Sequence, residues 1–170
     1  MSLQVYFVLL FSLGAVCMDL LKQKVSNVWI LLGWCLGLVY WFSARGVPGG
    51  LKIFLLGALL PVVLWYPLFY FRMLGAGDIK LFSVLGGFLG WKMILRGMVL
   101  SFVIGAVFSV VFLWMCGNWI QRMRYLWQYI CEYGRSGELV PYKKSGIQPE
   151  NFHFTIPILL GMILCVGGYF

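Results

Sequence analysis

The chain has 170 residues, of which 62% are hydrophobic and only 11% are charged. Because a soluble globular domain carries about 25% charged residues, this composition excludes an ordinary water-soluble domain. The formal net charge is +8, but the lysines and arginines lie between long apolar runs. We therefore interpret them as determinants of membrane topology, and expect the chain to contact a lipid bilayer and no nucleic acid.

Residues that bind metals are scarce in the sequence. It contains one histidine, His153, and five cysteines, none of them in a CxxC pair. Most zinc hydrolases need two or three histidines, and structural zinc sites need suitably spaced cysteines. We therefore expect no metal ion and no organic cofactor.

Apolar runs long enough to cross a bilayer begin close to the N-terminus. Residues 4–21, 27–44 and 51–71 predict three helices. The intervening residues 45–50 contain three glycines and a proline, which predict a turn between the second and third helices.

Residues 79–119 are too long for one crossing and predict two helices that divide near residues 91–96. The first of these helices, about 13 residues long, is short for a span, so it either lies in a thinned bilayer or is shielded by its neighbours. Residues 120–152 predict a polar loop, and residues 154–170 a last apolar helix. The sequence thus predicts an all-α polytopic membrane protein, a single domain over residues 1–170 with about six transmembrane helices.

The distribution of lysine and arginine predicts the orientation, because these residues favour the cytoplasmic side of a membrane. An N-out/C-out topology places most of them in the cytoplasm: Lys22, Lys24, Arg72, Lys80, Arg122, Arg124, Arg135, Lys143 and Lys144. It leaves fewer outside: Arg45, Lys52, Lys92 and Arg96. We therefore expect both termini outside and the polar loop in the cytoplasm.

The two aspartates of the sequence, Asp19 and Asp78, are its most informative residues. Asp19 lies near the cytoplasmic end of the first helix, and Asp78 lies where the third loop enters the fourth helix. The predicted topology therefore places both on one side at similar depth. An aspartate at the centre of a membrane helix costs about 2.5–3.5 kcal/mol, so it usually needs a partner or a wet cavity.

Two carboxyls that share a site cannot both ionise cheaply, so the pair holds one proton near neutral pH. Aspartyl proteolysis uses this state, because the ionised member takes a proton from the attacking water and the protonated member protonates the leaving amine. Gly75 and Gly77 would let a substrate backbone approach Asp78, and glycine also permits backbone angles barred to other residues.

Other roles are open to the same aspartates. Asp78 could cap a helix, and Asp19 could extend towards the interface beside Lys22. Two membrane carboxylates could also form a proton or cation pathway in a small transporter. The spacing alone favours neither the protease nor the transporter.

Two motifs resemble those of a known family. Residues 75–80, Gly-Ala-Gly-Asp-Ile-Lys, are similar to the GxGDxK motif of the type IV prepilin peptidases and archaeal preflagellin peptidases, which are GxGD-type intramembrane aspartyl proteases. Residues 19–27 resemble the first motif of that family, an aspartate followed by basic residues and an Ile-Pro-Asn-like ending. Ser26 stands where the family commonly has proline.

The resemblance implies an endopeptidase that removes the short basic leader from prepilin-like or preflagellin-like precursors. The site would lie at the cytoplasmic face of a prokaryotic inner membrane. Asp19 and Asp78 would be the catalytic dyad. Four further residues would shape the site or hold the turn after the first helix: Gly75, Gly77, Lys80 and Asn27.

Larger bacterial members of that family carry paired CxxC motifs and also N-methylate the new terminus. The sequence has no such pair, so it resembles the short peptidases of Tad-type pili and archaella. We therefore do not expect N-methyltransferase activity.

Two further patterns have simpler interpretations. Residues 134–137 match the GxSG of rhomboid serine proteases, but Ser136 lies in the polar loop, so we expect a loop turn there and an interfacial His153. The aromatic and basic residues of 119–133 are expected to lie at the membrane interface.

Overall fold

All regular structure in the described part of the chain is helical. The structure is a computed structural model that describes residues 3–71, 74–115, 119–136 and 153–168. Its helices are α1 (Leu3–Lys22), α2 (Asn27–Tyr70), α3 (Ala76–Leu89), α4 (Trp91–Met115), α5 (Trp119–Ser136) and α6 (Thr155–Val166).

Three stretches in the described residues are long and apolar enough to cross a membrane: Gln4–Lys22, Asn27–Tyr70 and Trp91–Phe112. Thr155–Val166 is a shorter apolar helix. These helices confirm the predicted class, an all-α polytopic membrane protein. The six crossings and the N-out/C-out orientation stay predictions.

α2 reverses direction at Gly46. A straight helix of 44 residues would be about 66 Å long, roughly twice the thickness of the hydrocarbon core. Gly46 has φ 70° and ψ 173°, which residues with a Cβ rarely adopt. The ring of Phe54 lies against Gly37, so close that a Cβ there would be 3.1 Å from Phe54 Cε2. The two arms, 27–45 and 47–70, therefore fold back on each other, as the sequence predicted.

α3 is the central helix of the bundle. It packs against α1, α2 and α4, and residues 81–90 are all buried. Its 14 residues are therefore shielded by neighbouring helices, which was one of the two alternatives for a short apolar helix. Gly90, with φ 81°, separates α3 from α4 one residue before the predicted interval.

α2 and α3 meet through glycines. A Cβ on Gly57 or on Gly86 would overlap the carbonyl oxygen of the other, so the two helix backbones are in direct contact. One residue further along α3, Trp41 Nε1 donates a hydrogen bond of 2.9 Å to the carbonyl oxygen of Gly87. This packing fixes α3, and with it the residues of its first turn.

α6 packs against both α1 and α4. Gly161 lies against the backbone of Ser101, where a Cβ would be 2.7 Å from the Ser101 nitrogen. At the beginning of α6, Phe154 lies against Gly105 of α4, where a Cβ would be 2.7 Å from Phe154 Cε2. These contacts hold the start of α6 at one end of the bundle.

The prediction of a polar loop over 120–152 is wrong in its first half. Residues 119–136 form α5, an amphipathic helix whose polar composition hid it from a search for apolar runs. Ser136 is its last residue, so the expected loop turn is wrong for residues 134–136. Residues 137–152 lie outside the described residues, as do Lys143 and Lys144.

Candidate functional site

The two aspartates lie at the same end of the bundle. Asp19 is in the last turn of α1, and Asp78 is in the first turn of α3. α1 packs directly against α3. Both carboxyls are partly shielded from solvent, and the side chain of Asp19 is only 16% exposed.

The charge of Asp19 acts on Asp78. Asp78 precedes the apolar run of α3 and lies outside the three long apolar helices. The pKa of Asp78 is raised from 3.8 to about 7, mainly by burial and further by the charge of Asp19, while a hydrogen bond from the backbone of Gly75 opposes the rise. The structure thus brings the two carboxyls within electrostatic reach of each other.

Asp19 receives two hydrogen bonds from the beginning of α6. Thr155 Oγ1 donates to Asp19 Oδ2 at 2.8 Å, and His153 Nδ1 lies 3.0 Å from the same oxygen. Sequence reasoning missed this contact, because it placed His153 at the interface. The predicted topology did indicate that the contact is possible, because it places the start of the last helix on the same side of the membrane as Asp19.

Lys80 and Asn27 contact each other beside the aspartates. Lys80 Nζ donates to Asn27 Oδ1 at 3.0 Å, which ties the beginning of α2 to the second turn of α3. Ser26, at the position where the motif commonly has proline, is the N-cap of α2, and its hydroxyl accepts a hydrogen bond of 3.3 Å from the backbone N–H of Val28.

The two glycines before Asp78 differ in their surroundings. Gly75 has φ −73° and ψ 143°, and neither it nor Gly77 has a positive φ. The expectation of backbone angles barred to other residues is therefore wrong. A Cβ on Gly75 would be 3.0 Å from Asp78 Oδ2, whereas a Cβ on Gly77 would meet nothing within 4 Å. Gly75 leaves room for the carboxylate, and Gly77 leaves open space beside it.

The described residues contain no group of three or more His, Cys, Asp or Glu side chains that could hold a metal ion. What they do contain is a pair of interacting carboxyls with hydrogen-bond donors on one of them. Chemically, such a pair can activate water and exchange a proton with a substrate.

These features define a polytopic helical membrane protein with two interacting carboxyls at one end of its bundle. The sequence matches the type IV leader peptidase family over residues 6–110, which is more than half of the chain. The chain belongs to the type IV leader peptidase family, and this membership indicates a protease. Comparisons with curated proteins and with solved structures found no match.

Proposed function

We propose that this protein is an aspartyl endopeptidase that removes the short basic leader from prepilin-like or preflagellin-like precursors. Cleavage takes place at the cytoplasmic face of a prokaryotic inner membrane. Asp19 and Asp78 form the catalytic dyad, and neither a metal nor an organic cofactor takes part.

The interaction between the two aspartates supports this proposal most. Asp19 and Asp78 are 59 positions apart in the sequence, yet the charge of one raises the pKa of the other. One carboxyl of such a pair stays protonated near neutral pH while the other is ionised. That division supplies a proton donor and a proton acceptor to one reaction.

In the proposed reaction, the ionised carboxylate takes a proton from water as the water oxygen attacks the scissile carbonyl carbon. The protonated carboxyl hydrogen-bonds the carbonyl oxygen. Collapse of the tetrahedral intermediate breaks the C–N bond, and the leaving amine receives a proton from the dyad. The open space beside Gly77 is where the extended substrate backbone approaches Asp78.

The test is cleavage of a co-expressed prepilin-like precursor by the wild type, Asp19→Asn and Asp78→Asn, read as a mobility shift. Asparagine keeps the shape of aspartate but cannot exchange the proton, so we expect each variant to lose at least 100-fold of the activity, on the order of general acid–base effects. Glu132→Gln is the matched control, because Glu132 is an exposed carboxylate on α5, and it should cleave like the wild type.

The outcomes of this test distinguish the aspartyl protease from the transporter. Uncleaved precursor with both asparagine variants, inserted normally in the membrane, supports the dyad. Wild-type cleavage by either variant contradicts the dyad. If the wild type itself cleaves none of several precursors, the transporter that uses the same two carboxylates becomes the better hypothesis.

A further inference from the structure

We propose that His153 and Thr155 are positioning residues that orient the carboxylate of Asp19 for catalysis. This inference rests on the proposed function. It extends the site to α6, which lies beyond the residues that match the family.

Both contacts end on one oxygen of Asp19. Thr155 Oγ1 and His153 Nδ1 approach Oδ2 at 2.8 Å and 3.0 Å. A carboxylate can only accept hydrogen bonds, so Nδ1 carries the hydrogen in this contact. Both of these hydrogen bonds use Oδ2, so neither of them occupies Oδ1.

Two donors at one oxygen fix the rotation of the carboxylate. An aspartate with one anchored oxygen has little freedom about its last torsion, which is otherwise broad. Hydrogen bonds to a charged group are also stronger than those between neutral groups. The other oxygen of Asp19, Oδ1, is therefore held in one orientation.

The donors are themselves held firmly. Thr155 is 1% exposed, so its hydroxyl has no competing bulk water. Phe154, between the two donors, packs on Gly105 and makes an edge-to-face contact with Phe102 at 5.4 Å between ring centres. Gly105 and Phe102 belong to α4. The packing of α6 on α4 therefore holds the two donors in place, and the donors in turn orient the carboxylate of Asp19.

The experiment measures kcat and KM for leader cleavage by Thr155→Val and His153→Phe. Valine has nearly the shape of threonine without the hydroxyl, and phenylalanine keeps a ring without the N–H. We expect each to lower kcat about 10-fold to 100-fold, the range for loss of a hydrogen bond to a charged group, while KM changes less than about twofold.

Two conservative variants distinguish positioning from packing. Thr155→Ser keeps the hydroxyl, and His153→Asn places an amide N–H close to the position of Nδ1. Both should recover most of the wild-type kcat. Ile156→Val, a neighbouring change on α6 at a side chain that cannot hydrogen-bond to Asp19, is the control and should behave like the wild type.

Unchanged kcat in Thr155→Val and His153→Phe would overturn the inference. So would a loss that Thr155→Ser and His153→Asn fail to recover, since that pattern means packing and not hydrogen bonding. The Asp19→Asn and Asp78→Asn variants keep the two proposals apart. If those variants are inactive while Thr155→Val and His153→Phe have the wild-type kcat, the dyad stands and only the positioning role fails.

Discussion

Gly75 and Gly77 lie two positions apart, but a side chain at each position would have different surroundings. Gly75 leaves little room for a Cβ because Asp78 Oδ2 would be 3.0 Å away, and Gly77 faces open space. Under the proposed function, the first glycine keeps room for the Asp78 carboxylate, and the second leaves a route along which a substrate backbone can approach.

We therefore predict that Gly75→Ala and Gly77→Ala change different kinetic parameters. Gly75→Ala should displace the Asp78 carboxylate by a few tenths of an ångström and lower kcat by up to about 10-fold, since a shift of about 1 Å can cost about 100-fold. Gly77→Ala should leave kcat close to the wild-type value and raise KM, because the new methyl group meets only the substrate. Steady-state kinetics with a leader peptide would measure both.

A lower melting temperature for Gly77→Ala would contradict this prediction, because it would mean that the space beside Gly77 is filled in the folded protein. Equal effects of both substitutions on kcat would contradict it as well.

Sequence reasoning identified the two aspartates because an aspartate is costly in an apolar chain. It did not identify the donors on α6. The contact between Asp19 and Thr155 joins residues 136 positions apart, and it exists only because α6 packs between α1 and α4. Neither residue type indicates such a contact by itself, since a threonine near a helix start usually caps that helix.

At the scale of the helices, the contact of α2 with α3 determines where Asp78 lies. The backbones touch at Gly57 and Gly86, where either Cβ would overlap the opposite carbonyl oxygen. Small residues allow helices in a membrane to approach this closely. Any larger residue has to separate the two helices.

We predict that Gly86→Ala and Gly57→Ala each lower the melting temperature in detergent by several degrees, because overpacking costs about 1–3 kcal/mol. Gly49→Ala is the matched control on α2, since its Cβ would make an ordinary contact of 3.6 Å with Arg45 Cβ. Differential scanning fluorimetry of the three variants is the measurement. A stability of Gly86→Ala equal to that of Gly49→Ala would show that the helices do not touch there.

The helices themselves were largely predictable from the sequence. Runs of apolar residues gave α1, both arms of α2, α3, α4 and α6, and glycine marked the turns at Gly46 and Gly90. α5 was missed because its apolar residues alternate with charged ones at helical spacing, a pattern that a search for spans ignores. The expectation that this segment lies at the membrane interface stays a prediction.

At the scale of the whole molecule, the buried Asp78 makes stability depend on pH. Its pKa is 3.8 in the unfolded reference and about 7 in the folded protein. Between these values the folded protein binds more protons than the unfolded chain, so its stability falls as the pH rises from about 4 to about 7. A carboxyl that the proposed reaction needs therefore lowers the stability of the protein at neutral pH.

We predict that Asp78→Asn melts a few degrees higher than the wild type at pH 8, because the substitution removes the buried charge. At pH 4 the two proteins should melt at similar temperatures. Thermal unfolding in detergent across this range is the measurement, and Glu132→Gln should follow the wild type throughout. A difference between Asp78→Asn and the wild type that does not change with pH would contradict the raised pKa.

The short length of α3 also affects where Asp78 lies relative to the membrane surface. Trp91 and Lys92, just after Gly90, are residue types that mark a membrane interface, and both are exposed. From that surface the 14 residues of α3 extend about 21 Å, which falls about 9 Å short of the far side of a 30 Å hydrocarbon core. The length of α3 therefore sets how far Asp78 lies from Trp91, whatever the thickness of the bilayer around the protein. Under the proposed function, we expect a precursor to be cut at a bond whose distance from that surface matches the length of α3.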